Sequence, residues 1–293
     1  MLQSIRQSIG PLIYHLYPAT PVSAIVIGAQ KSGTTSIWNY LHQHDKVLKS
    51  FVKEINFFSH DLRYQKGISF YHRNFYRRKP FSARDSLTID VSPAYLAGLE
   101  RSQKTAERIA QYNPDMKIIA SLREPVARAF SAWNMYRRFY QEKQDWYFDW
   151  VREDLAEFPE SSVIKRTNFG ASFLEDMKEE IKCIKAGEKI EAPVVGWGEY
   201  AKLLAPYFQH FKKENILIVD FLDLSTSPQE VTRQIEHFLS LPPSKNQERD
   251  FQARFSGGHK SRVSEEAKSF LSQYYAPQNE HLFQLIGKKF DWG

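Results

Sequence analysis

Cysteine is almost absent from this sequence of 293 residues, in which Cys183 stands alone. No disulfide bond can therefore form within the chain, and a reducing compartment such as the cytoplasm is the expected setting. A structural zinc site is excluded as well, because it needs several Cys or His ligands at close spacing. We interpret Cys183 as an ordinary helix residue.

Long hydrophobic runs are also missing. No stretch of 18 or more apolar residues occurs, so no membrane span is predicted. The apolar patches within residues 1–22 are interrupted by Gly10, Pro11 and Pro18, and the pattern of a signal peptide is absent. We interpret residues 1–22 as an N-terminal arm. No internal repeat or low-complexity tract is present.

The charge balance is basic, with a formal net charge of +6 and an isoelectric point of about 9.1. This balance favours anionic ligands such as nucleotides, phosphates and sulfated sugars. Basic residues are interspersed with acidic ones, and blocks such as Arg77-Arg78-Lys79 are short. Each such block is typical of a solvated surface, so nucleic acid is not a predicted partner.

Short apolar runs alternate with helical patterns along the chain. This alternation predicts an α/β fold with a central parallel sheet and helices on both faces. Residues 140–198 lack apolar strand runs, so we interpret them as a mostly helical insertion in a single domain that spans 1–293. The predicted strands are 23–27, 87–91, 116–122 and 216–219. The predicted helices are 34–44, 100–112, 125–136, 229–239 and a last one from about 264.

The first predicted strand is followed by a loop with the sequence GAQKSGTTS, residues 28–36. A glycine-bounded loop before a helix can surround an anion with backbone N–H groups, and the helix N-terminus adds partial positive charge. Lys31 supplies a full charge inside the loop. A Walker A loop would have lysine directly after its second glycine, but Thr34 stands there, and the lysine lies two residues before Gly33.

Two alternatives remain open for this loop. It is compatible with a tight strand-to-helix turn that binds no ligand. It is also compatible with a P-loop kinase or NTPase, in which Asp90 at the end of the second predicted strand would act as a Walker B aspartate. The displaced lysine favours a shorter donor that carries one phosphate and one sulfuryl group.

Three further segments contain candidate residues. Arg123 ends the third predicted strand, where ligands of open α/β sheets bind, and its planar fork suits a phosphate. Glu54, beside the apolar pair Phe57-Phe58, suits a general base, although an exposed glutamate paired with Lys53 explains the same residues. The segment GGHKSR, residues 257–262, combines backbone freedom with two cations, and is equally typical of an exposed basic turn.

These motifs together resemble the sulfotransferases that use 3′-phosphoadenosine 5′-phosphosulfate (PAPS), and among them the heparan sulfate N- and 3-O-sulfotransferase branch. The resemblance runs from about Ala24 to Trp292 and is weak over 140–198. It implies a P-loop-like α/β fold. It also implies that Lys31 contacts the phosphosulfate and steadies the leaving phosphate. The rest of the cradle would be formed by Ser32, Gly33, Thr34, Thr35 and Ser36.

The same resemblance implies roles for the other segments. Arg123 and Ser131, eight residues apart, match the motif that holds the 3′-phosphate. Glu54 falls on the catalytic glutamate of a Lys-Glu-x-x-Phe-Phe motif, and Asn56 stands where some members have histidine. The donor-covering Lys-x-Arg motif is matched by Lys260 and Arg262. Val91 replaces a lysine that relatives carry near the acceptor cleft.

The expected activity is therefore transfer of a sulfuryl group from PAPS to a hydroxyl or amine of a small-molecule or carbohydrate acceptor. The expected product is adenosine 3′,5′-bisphosphate, and no metal is expected. A kinase or NTPase, or a non-catalytic module that binds nucleotides or glycans, remains the alternative. A cytoplasmic location is expected.

Overall fold

The computed structural model describes residues 21–48, 50, 52–75, 86–145, 163–166, 169–252 and 262–292. They fall into two compact units. The first consists of the described residues of Met1–Leu122 and Pro206–Ser256, and the second of those of Arg123–Ala205 and Gly257–Gly293. The arm predicted over 1–22 lies outside the described residues except for Pro21 and Val22, so it stays a prediction, as does the single domain.

Seven strands occur in the described residues: β1 (Ala24–Gly28), β2 (Val47–Leu48), β3 (Leu87–Val91), β4 (Lys117–Leu122), β5 (Val163–Ile164), β6 (Lys189–Ile190) and β7 (Ile216–Asp220). Five of them form one sheet in the order β2-β3-β1-β4-β7, and every neighbouring pair is parallel. The predicted central parallel sheet is thus confirmed. β1 lies between β3 and β4, where all five of its residues are buried, as the continuous apolar run predicts.

The helices of the described residues are α1 (Thr34–Leu41), α2 (Asp61–Tyr64), α3 (Ile68–His72), α4 (Leu99–Tyr112), α5 (Pro125–Gln141), α6 (Phe173–Ala186), α7 (Tyr200–His210), α8 (Phe221–Thr226), α9 (Pro228–Phe238) and α10 (Glu265–Ile286). Helix α1 ends three residues before the predicted His44, and α5 runs five residues beyond the predicted Tyr136. Helix ends are set by capping and packing as well as by periodicity, which explains these differences.

The core of the first unit lies between the sheet and two helices. Side chains of α1 and α9 at helical spacing, among them Ile37, Leu41 and Ile235, pack with β1 residues such as Val26. Each is 1% exposed or less. Burial of such a side chain contributes about 1.5–3 kcal/mol. This packing holds α1, and with it the loop that precedes α1, against the sheet.

The predicted insertion over 140–198 contains α6 and the short parallel pair of β5 with β6. Two-residue strands leave no readable period in a sequence, so this pair was not predicted. Residues 146–162 and 167–168 lie outside the described residues, and the mostly helical character of the whole stretch stays a prediction. No helix in the described part is long and apolar enough to cross a bilayer.

Candidate active site

The loop after β1 is tied to the end of β4. The Ala29 N–H donates to the carbonyl oxygen of Ser121 at 2.7 Å, and the Ser121 hydroxyl donates to the carbonyl oxygen of Ser32, also at 2.7 Å. Ser32 and Ser121 are fully buried. Both bonds lie within the first unit, and they fix the path of the loop after β1.

Gly33 occupies a position that other residues would adopt only with strain. Its φ is +80°, in the left-handed region, and a Cβ there would lie 2.7 Å from Leu224 Cδ2 and 3.1 Å from Phe221 Cδ2. Glycine removes both the steric and the conformational penalty. Lys31 also has a positive φ, of 67°. The two conformations produce the sharp turn that leads into α1.

The N-terminus of α1 can accept an anion. Gly33 caps it with no side-chain hydrogen bond, and the first turn contains no acidic residue. The first intrahelical bond runs from the Ile37 N–H to the Gly33 carbonyl at 3.0 Å, so the N–H groups of the preceding turn have no acceptor within the helix. Such a terminus favours a phosphate or sulfonate group.

Hydroxyl-bearing residues precede this helix and form its first turn. The Ser32 hydroxyl is buried and has no hydrogen-bond partner in the described part of the chain. Thr34 and Ser36 are buried as well, and Thr35 and Lys31 are half-buried. An orphaned buried hydroxyl is costly unless a ligand or water satisfies it. The loop therefore fits the phosphosulfate of PAPS, for which it would supply backbone donors, hydroxyls and one cation.

Glu54 lies beside the carboxyl end of β3, the strand next to β1. Its N–H donates to the carbonyl oxygen of Val91, the last residue of β3, at 3.0 Å. Its carboxylate contacts the Lys53 ammonium, and its side chain is 50% exposed. The structure thus shows the exposed glutamate paired with Lys53 that the alternative interpretation predicted, and the role of Glu54 as a general base stays a prediction. Glu54 and the Lys31 loop lie at the carboxyl edge of neighbouring parallel strands.

Asp90 is buried at the end of β3 and is saturated with hydrogen bonds. It accepts from the hydroxyls of Ser92 at 2.8 Å, Tyr95 at 2.7 Å and Tyr71 at 2.9 Å. Burial raises the pKa of Asp90, against these three hydrogen bonds, which lower it. A carboxylate so enclosed is not free to hold a hydrated magnesium ion, which weakens the Walker B interpretation.

Arg123 directly follows β4 in the chain and belongs to the second unit. Its carbonyl oxygen accepts a hydrogen bond from the Tyr200 hydroxyl at 2.9 Å. Burial lowers the pKa of Arg123 below its usual value, and the nearby Tyr200 and Glu124 oppose that shift. The Glu124 carboxylate caps α5 by accepting from the Val126 and Ala127 N–H groups, so that helix terminus is already satisfied.

Of the other predicted donor-binding residues, the structure describes some but not all. Ser131 lies on α5 and is half-buried. Arg262 is exposed and lies two residues before Ser264, whose hydroxyl caps α10. Lys260 lies outside the described residues. The structure thus describes Arg123, Ser131 and Arg262 in the second unit, and the Lys31 loop and Glu54 in the first.

Sequence reasoning missed two groups near these residues. Arg128, between Arg123 and Ser131, is fully buried and donates to the carbonyl oxygen of Val194. Its Nε and Nη1 have no partner among the described residues. Ser92 donates to Asp90 and also accepts from the Asn56 N–H at 3.1 Å, and this connection between the two segments was not predicted. Arg128 leaves no sequence signal beyond a charged residue among apolar neighbours, whereas Ser92 belongs to the segment that resembles the family motif near the acceptor cleft.

Comparison with known proteins assigns the class. The profile of the family described as "Sulfotransferase domain" matches residues 21–292, nearly the whole chain. The chain belongs to the sulfotransferase family, as its phosphate-binding motifs predict. Among the described residues, no cluster of His, Cys, Asp or Glu is arranged to hold a metal ion.

Among the relatives that the chain resembles are heparan sulfate sulfotransferases. The chain is 28% identical over 288 residues to heparan sulfate glucosamine 3-O-sulfotransferase 5 of Mus musculus, with 92% of this chain and 73% of the relative covered. It is 24% identical to the mouse bifunctional heparan sulfate N-deacetylase/N-sulfotransferase 4, of which it covers only 29%. A sulfotransferase from Alicyclobacillus acidocaldarius shares the fold, with a TM-score of 0.65, 22% identity and coverage of 92% and 98% of the two chains.

Proposed function

We propose that the protein transfers the sulfuryl group of PAPS to a hydroxyl or amine of a small-molecule or carbohydrate acceptor. One observation carries the proposal. In a chain of the sulfotransferase family, the N-terminus of α1, which no side chain caps, and the orphaned Ser32 hydroxyl lie one strand away from the Glu54 segment. An anion-binding cradle and a carboxylate at the same sheet edge are the two parts that such a transfer requires.

The donor-binding residues follow from the family motifs. The loop from Lys31 to Ser36 would hold the 5′-phosphosulfate with its N–H groups, its hydroxyls and the Lys31 ammonium. Arg123 and Ser131 would hold the 3′-phosphate, for which the planar guanidinium is suited. Lys260 and Arg262 would cover the donor. Adenosine 3′,5′-bisphosphate would remain as the product.

Bound PAPS would supply the sulfuryl group and a phosphate leaving group. Glu54 would take the proton from the acceptor hydroxyl or amine, so that the acceptor atom can attack the sulfur. Lys31, with Lys260, would stabilise the charge that grows on the leaving phosphate oxygen. Positioning and electrostatics would carry most of the rate enhancement, as in phosphoryl transfer.

The acceptor is proposed only as a class. Heparan sulfate is named for the relatives, which supports a carbohydrate. Val91 stands where the family motif near the acceptor cleft has a lysine, which leaves one cation fewer for a heavily sulfated chain. We therefore propose a small-molecule or lightly sulfated carbohydrate acceptor. We also propose a cytoplasmic location.

A titration and a transfer assay test the proposal together. Adenosine 3′,5′-bisphosphate should bind more tightly than ATP with magnesium, and the reverse order would favour a kinase. Radiolabelled PAPS should then label an acceptor from a panel of alcohols, amines and oligosaccharides. Glu54→Gln should bind the bisphosphate normally and lose about 10²–10⁴ in turnover. Bisphosphate binding with no transfer to any acceptor would favour a non-catalytic module.

A further inference from the structure

The backbone that carries Glu54 is held by two hydroxyl groups from the segment after β3. The Asn56 N–H donates to Ser92 Oγ at 3.1 Å, and the Phe58 N–H donates to the Tyr95 hydroxyl oxygen at 3.4 Å. The bonded N–H groups belong to residues two and four positions after Glu54. These bonds therefore act on the peptide chain rather than on the carboxylate of Glu54.

Both hydroxyl hydrogens are directed to one buried carboxylate. Ser92 donates to Asp90 Oδ1 at 2.8 Å, and Tyr95 donates to Asp90 Oδ2 at 2.7 Å. A hydroxyl has a single hydrogen, so once that hydrogen points at Asp90 the oxygen presents only lone pairs to its other neighbours. Asp90 thereby makes both oxygens acceptors for the backbone N–H groups.

The segment needs such support because its conformation is strained. Glu54 has a φ of 65° and Asn56 a φ of 52°, both in the left-handed region, which glutamate rarely occupies and asparagine occupies more readily. Such conformations persist only where the surrounding structure holds them. Two contacts hold this segment in place. One is the chain of hydrogen bonds from the Asn56 N–H through Ser92 to Asp90. The other is the bond from the Glu54 N–H to the carbonyl oxygen of Val91.

We propose that Asp90 is a positioning residue for the reaction, which acts through Ser92 and Tyr95 to fix the strained segment on which Glu54 stands. This inference rests on the proposed function, in which Glu54 is the base. Asp90 itself would touch neither donor nor acceptor. A misplacement of a catalytic group by about 1 Å can lower a rate by about 10²-fold, so the position of this backbone matters to turnover.

Tyr71 offers a matched control for Tyr95. Its hydroxyl donates to the same oxygen, Asp90 Oδ2, at 2.9 Å, and both tyrosines are fully buried. Among the described residues, no N–H of the segment from Glu54 to Phe58 donates to the Tyr71 hydroxyl. Tyr71→Phe and Tyr95→Phe therefore remove the same kind of hydrogen bond from Asp90, but only Tyr95→Phe releases a backbone N–H of the segment.

The experiment measures kcat, the KM for PAPS and thermal unfolding for Tyr71→Phe, Tyr95→Phe and Ser92→Ala, at saturating acceptor. We expect Tyr95→Phe and Ser92→Ala to lower kcat about tenfold or more while the KM for PAPS stays within about twofold. Tyr71→Phe should lower the unfolding temperature by a similar amount and keep kcat within about twofold. An equal loss of kcat in Tyr71→Phe would mean that the network acts only through stability, and would overturn the inference.

A double variant separates this inference from the proposed base. If Ser92 acts through Glu54, then Ser92→Ala should cause no further loss of kcat in a Glu54→Gln background. The same fold loss in both backgrounds would overturn the positioning role while leaving the base intact. Wild-type turnover in the single variant Glu54→Gln would instead refute the base, and the positioning role with it.

Discussion

The hydroxyl of Ser121 donates a 2.7 Å hydrogen bond to the carbonyl oxygen of Ser32. Ser121 belongs to β4 and Ser32 to the loop after the neighbouring strand β1, and both are fully buried. The bond joins two residues 89 positions apart in the chain. It makes the shape of the anion-binding loop depend on the adjacent strand.

Replacement of Ser121 by alanine tests this dependence. The Ser32 carbonyl would lose its donor inside the core, which costs about 1–3 kcal/mol of unfolding free energy. The affinity for adenosine 3′,5′-bisphosphate should fall several-fold because the loop loses its brace. Calorimetric titration and chemical denaturation measure the two effects.

Thr88→Val is the control for Ser121→Ala. Thr88 is a fully buried residue of β3 whose hydroxyl has no partner in the described part of the chain. Its replacement also removes a buried hydroxyl from the sheet, but no bond to the loop. Unchanged bisphosphate affinity in both variants would show that the Ser121 bond does not shape the loop.

Lys31→Gln should remove the cation proposed to stabilise the leaving phosphate. Loss of one such group costs about 10²–10³ in kcat, while the backbone N–H groups of the loop would still bind the donor. We expect a large fall in kcat with a smaller rise in the KM for PAPS. Lys185→Gln, at an exposed position of α6, removes the same charge and should change neither. Near-normal kcat in Lys31→Gln would contradict the assigned role.

Glu180→Ala should destabilise the second unit. The Glu180 carboxylate accepts from the Val194 N–H at 2.8 Å, the Gly196 N–H at 3.0 Å and Arg166 Nη2 at 2.7 Å. The side chains of Glu180 and Arg166 are 1% and 2% exposed. Breaking one partner of a buried ion pair costs about 3–5 kcal/mol, which urea denaturation would detect.

The neighbouring Glu179 provides the comparison for Glu180. Its carboxylate lies 3.7 Å from Arg166 Nη1, and its side chain is 43% exposed. Because the Glu179 carboxylate is solvated, its pairing contributes about 0–1 kcal/mol, as surface ion pairs do, so Glu179→Ala should be close to wild type. If the two alanine variants were equally stable, the buried pair would not hold the segment from Val194 to Gly196.

Asp61 should make stability depend on pH. Burial of Asp61 opposes ionisation, but hydrogen bonds and charges from Lys104 and Arg108 outweigh it and lower the pKa of the carboxyl below its ordinary value of 3.8. Because the folded-state pKa is lowered, the stabilisation is present above the unfolded value and is lost as the pH falls through the folded value. Asp61→Asn should therefore be less stable than wild type at pH 7, and the two should converge at strongly acidic pH.

Unfolding curves of wild type and Asp61→Asn between pH 7 and about pH 2 check this expectation. A stability difference that stays constant over that range would show that the ion pairs of Asp61 contribute nothing. Arg108 also donates to the carbonyl oxygen of Phe58 at 3.0 Å. Loss of Asp61 should thus loosen the segment after Glu54, and the transfer rate at pH 7 reports on it.

The strands and the anion loop were predictable because their signals are local. A buried parallel strand needs a continuous apolar run, and β3 occupies the predicted residues 87–91. Similarly, the glycine at position 33 predicts the turn before α1, where the structure finds a φ of +80°. Strand order was not readable, because β4 follows β3 in the chain while β1 lies between them in the sheet.

The amino-acid sequence alone determined the α/β class, the loop around Lys31 and the family motifs, since each of these depends on residues a few positions apart. Only the tertiary structure decided that Ser121 braces Ser32, and that Asp90 directs the hydroxyls of Ser92 and Tyr95 toward the backbone beside Glu54. The physical reason is that a hydrogen bond requires its atoms within about 3 Å and correctly oriented. Segments distant in the chain reach that geometry only when the core packs around them.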